Sequence, residues 1–151
     1  MPFGLEPITP KTPGFGALKV EAESSGYRFL GRLEAEWRDG SNRFDRPAEV
    51  LLGAFDGDRL VGVCGLNHDP NTSDLRIGRL RHLYVLESDR RKGAARTLIE
   101  AGLSHCAGRF DTVRLRTDSA AAARLYEAVG FRLVNEPTAT RSLSLGRAVR
   151  R

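Results

Sequence analysis

Two apolar runs, residues 50–55 (VLLGAF) and 60–66 (LVGVCGL), flank Asp56-Gly57-Asp58. No other part of the chain constrains the fold as strongly. Asp-Gly between apolar runs closes a tight hairpin turn, because these residues accept the positive φ such a turn demands. The chain is thereby committed to a sheet, and the flanking pattern says what surrounds it. Residues 3–9 read as a strand ended by Pro10. Residues 14–24 and 27–38 read as two helices broken at Ser24-Ser25-Gly26. Leu30, Leu33 and Trp37 recur at i, i+3 and i+7, which places all three in the core. Residues 39–47 and 68–77 are polar loops.

A strand follows over 78–86, then a charged run from Ser88 to Lys92, then an amphipathic helix over 93–103. Strand 110–117 turns Val113 and Leu115 inward. Helix 119–128 starts at Asp118 or Ser119, both N-cap types, and ends near Gly130. Strands over 131–134 and 141–145 close the chain. Hairpins combined with two βα units predict an α/β (α+β) fold. Its mixed, mostly antiparallel central sheet has six or seven strands, with helices on both faces.

Length and composition set limits on partners. At 151 residues the chain is expected to form one domain over 1–151, with a basic tail at 146–151. With 40% apolar and 28% charged residues, the composition excludes a disordered or collagen-like chain. No apolar run approaches the roughly 18–20 residues of a membrane span, so no membrane partner is expected. The first 16 residues lack a charged head followed by an apolar block, which points to a cytoplasmic location. Cys64 and Cys106 are the only cysteines and are expected to be reduced and buried. The net charge of +5, with lysine only at positions 11, 19 and 92, favours anionic partners. These are nucleic acid or a phosphate-bearing small molecule.

Residues 80–93 (LRHLYVLESDRRKG) carry the first chemical signal. Arg90, Arg91 and Lys92 sit at or just before a helix N-terminus, where the helix dipole favours anions. Three cations there cost about a few tenths of a kcal/mol each unless an anion offsets them. Gly93 lets backbone N–H groups approach that anion, and Ala94 and Ala95 keep the first turn small. The bland reading is a solvated basic turn. The second signal is residues 115–131 (LRTDSAAAARLYEAVGF). On a helix, Ser119, Ala122 and Tyr126 share one stripe, while Leu125 and Val129 fall on the neighbouring, core-facing one. The bland reading of Tyr126 is a half-buried aromatic with a wet hydroxyl.

Taken together, Arg90-x-x-Gly93-x-Ala95 after a strand, then a strand, then Leu125-Tyr126-Glu127-Ala128-Val129-Gly130-Phe131, resemble the GNAT superfamily of acetyl-CoA-dependent N-acetyltransferases. The resemblance covers residues 48–134 and implies an acyl-CoA N-acyltransferase-like fold, splayed between strands 78–86 and 110–117. It implies acetyl-CoA as co-substrate, its pantetheine arm pairing with backbone at Leu83, Tyr84 and Val85. Its pyrophosphate would lie on Arg90, Arg91, Lys92, Gly93, Ala94 and Ala95, with Arg96 and Thr97 completing the turn. Ser119, where the family often has asparagine, and Ala122 would border it. Tyr126 would protonate the departing thiolate. The acceptor implied is a small-molecule amine, and dimers through the last strands are common in that fold, so a homodimer is one expected assembly.

Direct attack needs a neutral amine, whereas an alkylamine of pKa about 10.4 is mostly protonated at neutral pH. The strand positions where the family carries its base hold Arg79 and Arg81, which cannot act as bases. Strand alternation points His82 to the opposite face. A water relay or a carboxylate from residues 21–36 remains for the role. Arg79, Arg81 and Asn67 are the expected acceptor-side residues, with the arginines forking a substrate carboxylate or phosphate. The plainer alternative is that the arginines pair with carboxylates of the first helices. His68 and Asp69 have only Cys64 nearby as a soft ligand, so no metal site is expected. There are three rival readings: an acetyl-CoA-binding sensor without catalysis, a protein or peptide acetyltransferase with an acidic groove, and a nucleic-acid-binding domain. The last lacks an aromatic-interleaved basic stripe, so nucleic acid is a disfavoured partner.

Overall fold

The computed structural model describes residues 3–146. The sheet has seven strands in the order β1-β2-β3-β4-β5-β7-β6. The strands are β1 (Gly4–Pro7), β2 (Val50–Asp56), β3 (Arg59–His68), β4 (Ile77–Val85), β5 (Thr112–Leu115), β6 (Arg132–Leu133) and β7 (Arg141–Ser144). The helices are α1 (Phe15–Ser24), α2 (Phe29–Asp39), α3 (Ala94–Cys106) and α4 (Ala120–Val129). The Asp-Gly hairpin forms as expected, with Asp56 opposite Arg59. All ladders are antiparallel except β4–β5, which is parallel because α3 carries the chain across the sheet. The basic tail expected at its end falls mostly on 147–151, outside the described residues.

Helices cover both faces of the sheet. Leu98, Ile99 and Leu103 of α3 pack with Leu66, Leu115 and Phe110 in one core. Phe15 and Leu18 of α1 pack with Leu30 and Leu33 of α2, and with Val63 and Tyr84, in the other. Trp37 does not join them. It is half-buried at the end of α2, with Lys11 Nζ 5.5 Å and Arg43 Cζ 4.8 Å from its ring centroid. The helical spacing is kept, but cations rather than core residues cover the indole. Cys64 and Cys106 are free and buried, and burial pushes the thiols up to about 12 and about 11.

Two departures from regularity shape the middle of the sheet. First, Val63 pairs with Tyr84 but Gly65 pairs with Arg81, so β4 carries one extra residue opposite Cys64. The bulge holds His82 at φ 62° and breaks the alternation that would have turned it from the α2 side. Its ring instead lies 6.1 Å from that of Phe29 and 5.9 Å from that of Phe44. Second, Gly78 permits close contact between the start of β4 and the ring of Phe110. A Cβ at that position would overlap the ring of Phe110 at Cδ2. Phe110 is fully buried, so Gly78→Ala is expected to lower unfolding stability by about 1–3 kcal/mol. Urea denaturation checks this, and an unchanged midpoint would show that the ring yields.

Candidate active site

β4 is paired along its whole length with β3 but only briefly with β5. The parallel ladder stops at Arg79–Arg114. From Leu80 to Val85, then, one edge of β4 faces no strand among the described residues, and the sheet opens into a seam. Pairing between the two strands is short because β5 itself ends at Leu115. Backbone groups on such an edge are unpaired donors and acceptors. At the end of the seam Arg90 Nε donates to the Val85 carbonyl at 3.0 Å, and its guanidinium lies 5.3 Å from the Tyr84 ring centroid. Tyr84 turns its side chain the other way, toward α1, donating to Glu21 Oε2 at 2.6 Å. Burial, reinforced by that carboxylate, pushes its phenol up to about 12.

The turn after β4 is built around a carboxylate that sequence reasoning passed over. Asp89 is 1% exposed and receives both Arg59 guanidinium nitrogens, at 3.1 and 2.9 Å, and the Ser88 hydroxyl at 2.9 Å. Hydrogen bonds from Arg59 hold its carboxyl below the usual range despite burial. Asp89 stands immediately before the run of three cations, and an acid abutting them was the available signal. The anchored turn leaves Arg90, Arg91 and Lys92 exposed. Arg91 has φ 64° and Gly93 has φ 89°, so the chain bends twice before α3 begins. No acid occupies the first turn of α3, and no side chain caps it. Its N–H groups and dipole have no acidic partner, and of the preceding cations Lys92 Nζ lies 3.9 Å from Asp89 Oδ1.

Above this turn is a cavity of about 180 Å³. Seven of the expected cofactor residues line it: Val85, Arg90, Arg91, Gly93, Ala94, Ala95 and Arg96. Leu125 of α4 lines it as well, although periodicity assigned that residue to the core alone. Leu83, Lys92, Thr97, Ser119 and Ala122 do not line it. Thr97 completes the first turn of α3 by donating its N–H to the Gly93 carbonyl. Ser119 is the N-cap of α4, its hydroxyl accepting from the Ala122 N–H at 3.2 Å. A more open groove of about 490 Å³ lies over Glu23, Gly31 and Ala35 of the first two helices, and none of the expected site residues lines it.

Tyr126 is 6% exposed and packs edge-on against Phe131, with centroids 5.7 Å apart. It is more buried than a half-wet aromatic. Burial raises its pKa above the ordinary tyrosine value, and the neighbouring Cys64 thiol adds to the rise. Tyr126 belongs with Cys64 to the same buried core, on the α3 face of the sheet. None of the hydrogen bonds among the described residues engages its hydroxyl.

The opposite wall, on the α2 side, is polar. Asn67 is the cross-strand partner of Arg79, and its Oδ1 is buried without a partner. Arg79 Nη1 donates to the Thr138 carbonyl at 3.0 Å and lies 4.0 Å from Asp69 Oδ2. Burial lowers the Arg79 pKa, Asp69 offsets part of this, and nearby Arg81, Arg116 and Arg114 lower it further. Arg81 Nη2 lies 3.8 Å from Glu36 Oε1 of α2. Both ring nitrogens of His82 are buried and unpartnered, and desolvation with Arg81 and Arg32 nearby pushes its imidazolium pKa down to about 3. His68 is occupied elsewhere, its backbone N–H and its Nδ1 both meeting buried Glu49 Oε2, at 2.9 and 3.0 Å.

The fold recurs in known structures. A candidate acetyltransferase from Exiguobacterium sp. 255-15 superposes with a TM-score of 0.83 at 23% identity, covering 95% of this chain and 94% of that one. The phosphinothricin acetyltransferase of Sinorhizobium meliloti, solved with AcCoA, gives 0.76 at 17% identity, covering 97% and 90%. The GNAT family N-acetyltransferase YhbS of Escherichia coli, solved with CoA, gives 0.73 at 22% identity, covering 97% and 83%. A comparison with curated proteins finds no match. The family model described as the acetyltransferase (GNAT) family matches residues 18–131, a span that holds the seam, the cationic turn and Tyr126, and the chain therefore belongs to the GNAT acetyltransferase family.

Proposed function

We propose that the protein transfers an acetyl group from acetyl-CoA directly to the primary amine of a small anionic molecule. The observation that carries this reading is the cationic turn before α3. Arg90, Arg91 and Lys92 face a helix N-terminus with no acid of its own, beside a cavity and an unpaired strand edge. A pyrophosphate fits that turn, since it would satisfy both the cations and the α3 N–H groups. The edge from Leu83 to Val85 suits an amide-bearing pantetheine arm, for which Arg90 must release the Val85 carbonyl. Acetyl-CoA supplies an activated thioester at the seam.

The chain supplies position and polarity. A backbone N–H near Val85 polarises the thioester oxygen. Tyr126, protonated and without an internal partner, faces the departing sulfur. Arg79 and Arg81 give the α2-side wall a positive field suited to an anionic acceptor, with Asn67 beside them. No side chain at the seam is suited to carry a covalent acyl intermediate, since burial keeps the Cys64 thiol neutral. Most of the rate then comes from holding amine and thioester together.

Isothermal titration of the folded protein with acetyl-CoA tests this reading, followed by amine-dependent release of free thiol. Binding with turnover is the expected result. Binding without turnover of any amine would leave a sensor, and no binding would withdraw the donor assignment altogether.

A further inference from the structure

Four carboxylates lie on α1 and α2 within residues 21–36, and the structure gives them different tasks. Glu21 accepts from the Tyr84 hydroxyl and from the Glu87 N–H at 3.0 Å, tying α1 to the end of β4. Glu23 lines the groove between the first two helices. Glu34 holds Lys19 at 2.7 Å, with Arg38 at 3.6 Å. Glu36 alone of the four pairs with an arginine of β4.

That pair is not closed. At 3.8 Å, Glu36 Oε1 and Arg81 Nη2 are beyond hydrogen-bond distance, and no hydrogen bond among the described residues engages either side chain. Their side chains are 33% and 21% exposed, so solvent reaches them only in part. Half-buried charges that make no hydrogen bond within the protein are open to a ligand that completes them in place of water. Arg79 differs, because its guanidinium already holds the Thr138 carbonyl. Of the two arginines, Arg81 is the one free to fork a ligand. It stands within the seam, two residues before Leu83 on the same strand.

Resting on the acetyl-transfer reading above, we infer that the Arg81–Glu36 pair receives a zwitterionic acceptor, an amino acid, with Arg81 taking its carboxylate and Glu36 taking a proton from its ammonium. A neutral amine would leave Arg81 unsatisfied, and a dianion would meet Glu36 as a like charge. The Glu36 carboxylate removes one ammonium proton. The freed lone pair forms the C–N bond at the thioester carbon, and the C–S bond breaks. Tyr126 gives its proton to the sulfur and regains one, through solvent, from the nitrogen as the amide forms. Glu36 releases its proton to solvent, so acid is produced in step with thiol. Glu36 thereby fills the role of base for which the strand itself offers only arginines.

The test is a thiol-release assay with acetyl-CoA and each proteinogenic amino acid, alongside the corresponding amino-acid amides, in which the carboxylate is neutralised. At least one amino acid is expected to exceed its amide in kcat/KM by about 10- to 100-fold, the range of one charge-assisted hydrogen-bonded contact. Arg81→Gln should erase that preference. Glu36→Gln should lower kcat for the same amino acid by about 100-fold or more while leaving the calorimetric Kd for acetyl-CoA unchanged. If acetyl-CoA binds but amides serve as well as acids, or no amino acid is acetylated, the zwitterion assignment is overturned and the donor assignment stands. Unchanged kcat in Glu36→Gln overturns its role as base. Absence of acetyl-CoA binding brings down both.

Discussion

Tyr126→Phe is expected to lower kcat by about 10- to 1000-fold, with KM for acetyl-CoA unchanged within about twofold. In barrier terms this is about 1.4–4 kcal/mol. The phenol has a raised pKa, chiefly through burial, so it stays protonated at neutral pH and has a proton to give. A thiolate of pKa about 8.5 takes that proton only uphill from a phenol above 10. Much of the benefit is thus the hydrogen bond to the developing charge, which argues for the lower part of the range. No internal partner loses a hydrogen bond in the variant, and the ring contact with Phe131 is kept, so stability should hold. Steady-state kinetics with saturating amine decide the matter. An unchanged kcat would remove Tyr126 from the reaction.

Gly93→Glu should weaken acetyl-CoA binding by about 1000-fold in a protein that still folds. The space over Gly93 is open, with no atom within 4 Å of an added Cβ, so the new side chain meets no obstacle in the free protein. Its φ of 89° strains any L-residue by about 1–2 kcal/mol, which the fold tolerates. The carboxylate, however, lies where a pyrophosphate would sit. Two unit charges 4 Å apart repel by about 4 kcal/mol at an effective dielectric near 20. Gly93→Ala separates the causes, because it adds the strain without the charge and should cost binding far less. Calorimetry on both variants reads the difference. Equal losses would point to backbone conformation, and undiminished binding by Gly93→Glu would place the phosphates elsewhere.

Local signals carried much of the architecture. The Asp-Gly turn, the Ser119 cap and the Gly130 stop each act within a few residues, and each recurs in the structure at the expected place. The cationic turn was legible because three like charges before a helix are locally unfavourable. What escaped depended on partners distant in sequence. The bulge at His82 arises from register against β3, which alternation along β4 cannot reveal. The anchoring of Asp89 requires Arg59, thirty positions earlier. Leu125 fits the core pattern of its helix and also borders the cavity, because α4 packs beside α3, a contact that periodicity does not encode. Glu36 was one of four equivalent acids until the placement of α2 over β4 separated them.

The seam beside β4 also bears on how such a chain tolerates sequence drift. Its edge donors and acceptors between Leu80 and Val85, of which Arg90 holds the Val85 carbonyl, belong to the main chain, and every residue but proline presents the same N–H and C=O. Replacement of Leu83 or Val85 by another residue that keeps the strand extended therefore leaves the recognition groups in place, and only proline deletes an N–H. The acceptor wall is written in side chains, at Asn67, Arg79, Arg81 and Glu36, where one nucleotide change can rewrite the chemistry. A lineage built this way can hold its acyl donor constant while its choice of amine wanders.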